Sequence, residues 1–391
     1  MKPSEKLSRI PFSKIREIFT RVNELKAQGK DIISLGIGEP DFDTPANINE
    51  AMIQATRDGQ THYSANKGIL PLRQAICDKY QQEFQMTYDP EEVIVTVGVA
   101  EGVFIALSAF LDPGDEVLIP DPSWLNYTHV PTMNGAIPVG YPLHEEAEYE
   151  PRISDLEELI SERTKALVIL DPSNPTGTAF SEDTVRQLAE FAVRHDLLVI
   201  SDEIYEKITY DRPHHCIAAY LGMRERTILL NGMSKCYAMT GWRVGYLLAD
   251  ASLIPPLAKF HAYLVTNVPT MLQYGALEAL QGPQESVTQM VSEFQRRRNY
   301  LTAAINDIPG LHTVQPTGGF YHFVNVSQTG MTGDTFTSFL LENAGGAVVP
   351  GTAVGKSPVD FVRISYATSF ELLEEAMRRI RQALMNSTTE A

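Results

Sequence analysis

The chain has 391 residues, 43% apolar and 21% charged, with mean hydropathy −0.14, the composition of an ordinary globular protein long enough for two domains. Its 32 basic side chains against 49 acidic ones give a net charge of −17, which argues against nucleic acid or an anionic membrane surface as partner. No apolar run reaches the ~18 residues of a membrane span, and three cysteines (Cys77, Cys216, Cys236) without C-x-x-C spacing fit a reduced, cytoplasmic protein.

In chain order, Met1 to Phe19 interleaves charges with single apolar residues and lacks the apolar core of a signal peptide. A helical pattern over Ser13–Gln28 leads to a Gly- and Pro-rich loop, Gly36–Pro45. Then come seven short β-branched runs: Val93–Val97, Glu116–Ile119, Ile137–Tyr141, Ala166–Asp171, Leu198–Asp202, Thr227–Asn231 and Val244–Leu248. Several are nearly continuous apolar strings, the pattern of strands buried on both faces. Amphipathic stretches such as Glu101–Leu111 and Ser181–His195 lie between them, the second opened by a capping Ser181. Strands alternating with helices predict an α/β fold: a large domain over residues 46–285, with a mostly parallel seven-stranded sheet covered by helices. Past about residue 285 long helices dominate, ending in Phe370–Met385. Residues 1–45 and 286–391 are expected to form a smaller α/β domain from both chain ends.

In open α/β sheets ligands sit beyond the carboxyl ends of the strands. Here P-S-N-P-T-G (172–177) follows one run, Ser201 to Tyr205 closes another, and G-M-S-K (232–235) follows a third, with Arg243 shortly after. These strand ends deliver Asn174, Asp202, Tyr205, Ser234, Lys235 and Arg243 to one rim. A lysine whose amine is deprotonated by burial beside cations is a carbonyl nucleophile. Pyridoxal phosphate needs such a lysine, an anion near its pyridine nitrogen and donors for its phosphate. Asp202 suits the nitrogen. Ser234, Arg243 and the backbone at Gly98–Glu101 suit the phosphate. Asn174 and Tyr205 suit the phenolic oxygen, and Trp124 the ring face. Taken singly, N-P-T-G is a turn signal and Asp202 a helix cap; it is their joint arrival at successive strand ends that points to chemistry.

The runs S-K-C-Y-A-M-T-G-W-R-V-G-Y, N-P-T-G, S-D-E-I-Y and P-G-T-A-V-G resemble the class I aminotransferases of the fold-type I pyridoxal phosphate superfamily, most nearly the microbial aspartate and aromatic enzymes. The likeness runs from S-L-G-I-G-E-P-D-F near the start to V-R-I-S-Y-A at 362–367. It implies that Lys235 bonds the cofactor and shuttles the proton between Cα and C4′, with Asp202 paired to the pyridinium and Asn174 and Tyr205 serving the phenolate. It further implies that Ser234, Arg243 and the Val99–Ala100 backbone hold the phosphate and that Trp124 stacks on the ring. Arg363 would grip the substrate carboxylate, with Gly36 lining the pocket. Tyr63 would reach the cofactor of a neighbouring subunit, so a homodimer with shared active sites is implied.

The resemblance implies transfer of an amino group from an L-amino acid, aromatic or aspartate, to a 2-oxo acid such as 2-oxoglutarate. Some aspartate-preferring relatives carry a lysine near Ala100, whereas this chain has Glu101 there, expected to repel a second carboxylate; Lys67 is the candidate substitute. Two other readings use the same residues: a lyase performing β- or γ-elimination, and a non-catalytic effector-binding module. The module reading is weakened by the acidic charge and by the absence of a basic segment before Gly36–Phe42. No metal site is expected: His214–His215 reads as a loop pair without a carboxylate at metal spacing. Cys236 reads as a packing residue.

Overall fold

The computed structural model describes residues 4–389. A short 3-10 turn, Glu5–Arg9, precedes helix α1 (Lys14–Ala27), whose first turn is capped by Ser13 accepting from the Arg16 amide. Strand β1 (Ile33–Ser34), α2 (Ala46–Arg57) and α3 (Leu70–Phe84) follow. The central block alternates strand and helix, as the apolar strings predict. It runs β2 (Val93–Thr96), α4 (Gly98–Phe110), β3 (Glu116–Asp121), α5 (Asn126–Asn134), β4 (Ile137–Pro142), α6 (Ile153–Leu159), β5 (Thr164–Leu170), α7 (Glu182–Arg194), β6 (Leu198–Asp202), β7 (Thr227–Gly232) and β8 (Gly245–Leu248). Helices α8 (Ile254–Leu264), α9 (Thr270–Gln281) and α10 (Glu285–Asn306) come next. The rest is β9 (His312–Thr313), β10 (Tyr321–Asn325), α11 (Gly333–Asn343), β11 (Gly346–Ala347), β12 (Val349–Pro350), β13 (Phe361–Ser365) and α12 (Phe370–Thr389).

The fold is α/β, with a seven-stranded sheet ordered β2-β8-β7-β6-β5-β3-β4. Only β8 runs against the others, antiparallel to both β2 and β7. The expectation of double-faced burial holds for β2, β7 and β8, every residue of which is buried, and for all but one residue each of β3, β5 and β6. It fails for β4, where Ile137 is 40% exposed. That strand is one of the two edges of the sheet; β2, the other edge, is buried at every residue. Helix α4 starts three residues before the expected Glu101, at Gly98, because Gly98 at φ +70° lets the chain turn straight from β2 into the helix.

A second sheet, ordered β12-β13-β10-β9, is antiparallel, and β1 pairs in parallel with β11. The latter pairing carries the chain from α1 past Gly36 and toward the carboxyl ends of the large sheet. Among the described residues no helix is long and apolar enough to cross a membrane.

Candidate active site

A cavity of about 280 Å³ opens beyond the carboxyl ends of β5, β6 and β7, where strand-order reasoning places a ligand. Its walls include Gly36, Val99, Ala100, Trp124, Asn174, Asp202, Tyr205, Ser234, Lys235, Arg243 and Arg363. All the expected residues therefore meet there except Tyr63, which is 88% exposed on the outer surface. Within this chain Tyr63 takes no part in the cavity.

Lys235 follows β7 and donates from Nζ to Gly38 O at 2.6 Å. Burial, helped by the Arg363 and Arg243 guanidiniums and opposed by Glu39 and Asp202, brings its ammonium down to about 8. Asp202, the last residue of β6, is almost fully buried. Burial pushes its carboxyl up to about 6, against two hydrogen bonds that favour the anion: Tyr127 Oη donates to Oδ2 at 2.7 Å and the Ile204 amide to Oδ1 at 3.2 Å. The Tyr205 hydroxyl lies 3.0 Å from that of Tyr321. Burial holds it protonated well past its ordinary range.

At one end of the cavity α4 begins with no side chain capping its first turn, leaving amide donors for an anion. Arg243 reaches that end, and a Cβ on Gly98 would stand 2.4 Å from its Nη2. A Cβ on Gly245 would stand 2.7 Å from Gly98 C. Two glycines thus bring β8, the α4 terminus and a guanidinium together. At the other end Arg363, on β13, donates from Nη1 to Asn174 Oδ1 and from Nη2 to Gly36 O, both at 2.8 Å. Its Nε is buried without an acceptor, so the guanidinium is aimed at a partner that the protein does not supply.

Several lining residues escaped sequence reasoning. Ile15 and Phe19 come from α1, Gly38 from the following loop, and Tyr321 from β10. Tyr127, at the start of α5, stands behind the lining and acts through Asp202; nothing in its local spacing marked it. Ile15 and Phe19 sit four apart on α1, which marks a shared face but not a cavity.

Two expectations need correction, and a third holds with an addition. Glu101 does not face substrate: its carboxylate is buried, 2.7 Å from His261 Nδ1 and bonded by the Val97 amide at 2.5 Å. Lys67 donates to Glu91 O and Oε2 at 2.8 and 2.9 Å, outside the cavity. His214 does lie in a loop, but its side chain is only 4% exposed and stands 3.3 Å from Asp171 Oδ2 and 3.4 Å from Glu203 Oε2. Both carboxylates are distant in sequence, so local spacing hid them. Among the described residues no cluster suited to a metal ion forms.

The profile of the family "Aminotransferase class I and II" matches residues 30–380. The chain belongs to that aminotransferase family. It is 43% identical over 388 residues to an aspartate aminotransferase of Pyrococcus abyssi, covering 98% of each chain. It is 41% identical to an aromatic-amino-acid aminotransferase 2 of Thermococcus litoralis, covering 97% of this chain and 98% of the relative. An aromatic aminotransferase structure from Pyrococcus horikoshii superposes with TM-score 0.90 at 42% identity, covering 94% of this chain and 99% of the other. The protein is an amino-acid aminotransferase and its cofactor is pyridoxal 5′-phosphate. The cavity fits that group. It offers an amine lowered toward neutrality, a buried carboxylate, an uncapped helix start beside a guanidinium, and a second guanidinium with an unfilled donor.

Proposed function

We propose that this aminotransferase takes the amino group from L-amino acids with aromatic side chains in preference to aspartate and passes it to a 2-oxo acid such as 2-oxoglutarate. One observation carries the preference. The cavity lining includes Ile15, Phe19, Trp124 and Tyr321, and the cations lining it are Lys235, Arg243 and Arg363. Each of these three has a task common to all donors, so no lining cation is left for a second carboxylate. An aromatic ring fills the apolar wall and leaves no charge unpaired.

Pyridoxal phosphate, when bound, supplies a carbonyl for the amino group and an electron sink for the bond at Cα. The rest is done by the chain. Lys235 Nζ holds the cofactor and then, as a neutral amine, moves the proton at Cα. Asp202 holds the ring nitrogen in its protonated state, and Tyr127 holds Asp202. Asn174 and Tyr205 donate to the phenolic oxygen, and Trp124 covers the ring. The amides of Val99 and Ala100, with Ser234 and Arg243, hold the phosphate. Arg363 grips the α-carboxylate that every donor shares, beside Gly36.

The assembly we propose is a homodimer with shared sites. In support, Tyr63, Leu70, Tyr263 and Leu264 are all exposed, and their segments are tied by Asn66 donating to Thr266 O. Such an apolar patch suits a second copy, in which Tyr63 reaches the partner's phosphate. We place the protein in the cytoplasm, a compartment that suits its three free, buried cysteines. We assign residues 46–285 to a large cofactor domain and 1–45 with 286–391 to a small one. A panel of amino donors in single turnover tests the reading. Aromatic donors should convert the bound cofactor to its amine form fastest and release no ammonia. Ammonia release, or a preference for aspartate, would refute it.

A further inference from the structure

Directly behind the cavity lies a buried charge cluster with no part in the scheme above. His214 stands between Asp171, at the end of β5, and Glu203, at the end of β6, at 3.3 and 3.4 Å. Both acids are almost fully buried. Their other oxygens are occupied: Asp171 Oδ1 accepts from the Phe180 amide at 2.8 Å, and Glu203 Oε1 from Ser201 Oγ at 3.1 Å. The oxygens facing His214 and both of its ring nitrogens are buried with no hydrogen-bond partner, so the charge contacts at 3.3 and 3.4 Å are what the three groups offer one another. Imidazolium and carboxylates therefore depend on each other.

The position of the cluster is what gives it consequence. The Asp171 amide donates to Asp202 O at 3.1 Å, and Asp171 is followed by the turn that presents Asn174. Glu203 is the residue next to Asp202. A bare carboxylate at Glu203 disfavours the anion at Asp202, since like charges in a desolvated site raise each other's proton affinity.

We propose that His214 is a positioning residue of this aminotransferase. It clasps the ends of β5 and β6 through Asp171 and Glu203 and offsets the charge of Glu203, so that Asp202 remains an anion at the cofactor ring. The proposal rests on the reading that Asp202 serves the ring nitrogen. Burial alone disfavours the His214 imidazolium, but Glu203 and Asp171 outweigh it and push the ring up to about 10, so it is charged throughout the working range.

The surrounding groups do not duplicate this role. On α3, Phe84 meets the His214 ring edge-on. Lys79 there is taken by Glu206 and Glu83, each at 2.8 Å, and Lys207 by Glu83 at 2.6 Å. The nearby Tyr80 and Cys216 are held neutral by burial. Toward Asp202 the remaining groups are Tyr127, Tyr205 and Lys235.

The test is the pH dependence of cofactor binding to the cofactor-free protein, followed by fluorescence in wild type, His214→Gln, Glu203→Gln and the double variant. The acid limb under study is the part that Asp202→Asn abolishes. His214→Gln should move this limb up by about one pH unit, weakening binding about tenfold on its slope. Glu203→Gln should move it the other way. The double variant should return close to wild type, even if its melting temperature does not recover. A limb unmoved in both single variants overturns the proposal, as does a double variant that behaves like His214→Gln. If His214→Gln alone does not fold, the upward move of the limb from Glu203→Gln to the double variant still reads the His214 charge, and no move between those two overturns the proposal. Should Asp202→Asn leave the limb intact, the underlying reading of Asp202 fails. That outcome is distinct, because it appears without touching His214.

Discussion

Replacing Arg363 by lysine keeps the charge and removes the fork. In the structure the guanidinium is 4% exposed, holds Asn174 Oδ1 and Gly36 O, and has Nε free. A substrate carboxylate gains two charge-assisted bonds from such a fork, and each is worth about 1.5–3 kcal/mol. A lysine ammonium supplies one of them and cannot also satisfy both Asn174 and Gly36, leaving a buried acceptor unpaired at about 1–3 kcal/mol. The combined loss is about 2.5–6 kcal/mol, or roughly 10²–10⁴-fold in kcat/KM. The α-carboxylate is common to all donors, so the factor should be similar for aspartate and for tyrosine, while cofactor content stays at the wild-type level. Steady-state kinetics with both donors, alongside a cofactor absorbance spectrum, reads all three quantities. A loss confined to one donor would assign Arg363 to side-chain recognition, and an unchanged kcat/KM would refute the argument.

Lys235→Ala should abolish turnover and the absorbance of covalently held cofactor without unfolding the protein; in wild type the rate of covalent capture should rise as the pH approaches 8, where the amine becomes neutral. Asp202→Asn should stabilise the cofactor-free protein at pH 7. The Asp202 carboxyl is raised from 3.8 to about 6 in the fold, so the folded state holds the proton more tightly and stability is lost as pH rises through that window, by about 3 kcal/mol. Calorimetry should show the melting advantage of the variant vanishing near pH 4; an advantage equal at both pH values would exclude the charge argument. Phe19→Lys should place a cation in the apolar wall and shift the donor ratio toward aspartate about tenfold or more, and a ratio that does not move would remove α1 from substrate recognition.

The sequence made legible whatever lies at the end of a strand. Asn174, Asp202, Ser234 and Lys235 announce themselves because buried strands are unmistakable apolar strings, and the residue after such a string is where a parallel sheet places its ligand. Residues that enter the cavity from another layer carry no such marker. Ile15 and Phe19 look like the apolar stripe of any amphipathic helix, and Tyr321 like any core aromatic of β10. The errors have a common cause too. Place along the chain says nothing of the charges that Glu101 and Lys67 meet. Their partners, His261 and Glu91, come from other elements. His214 hid for the same reason. Charges in a folded interior are set by long-range pairings, and single-sequence reading sees those least.

The delivery of Ile15 and Phe19 by α1 separates two inheritances. The groups around Lys235 are locked into a sheet whose strands bury nearly every residue, so substitutions there endanger the fold. Helix α1 buries only Val22 and Leu25, and residues on its cavity-facing turns are free to vary at little structural cost. If, as proposed, Ile15 and Phe19 meet the donor side chain, changes in this single peripheral helix alter donor choice and leave the chemistry intact. Exchange of that helix between relatives of different preference is then the route to altered donor choice.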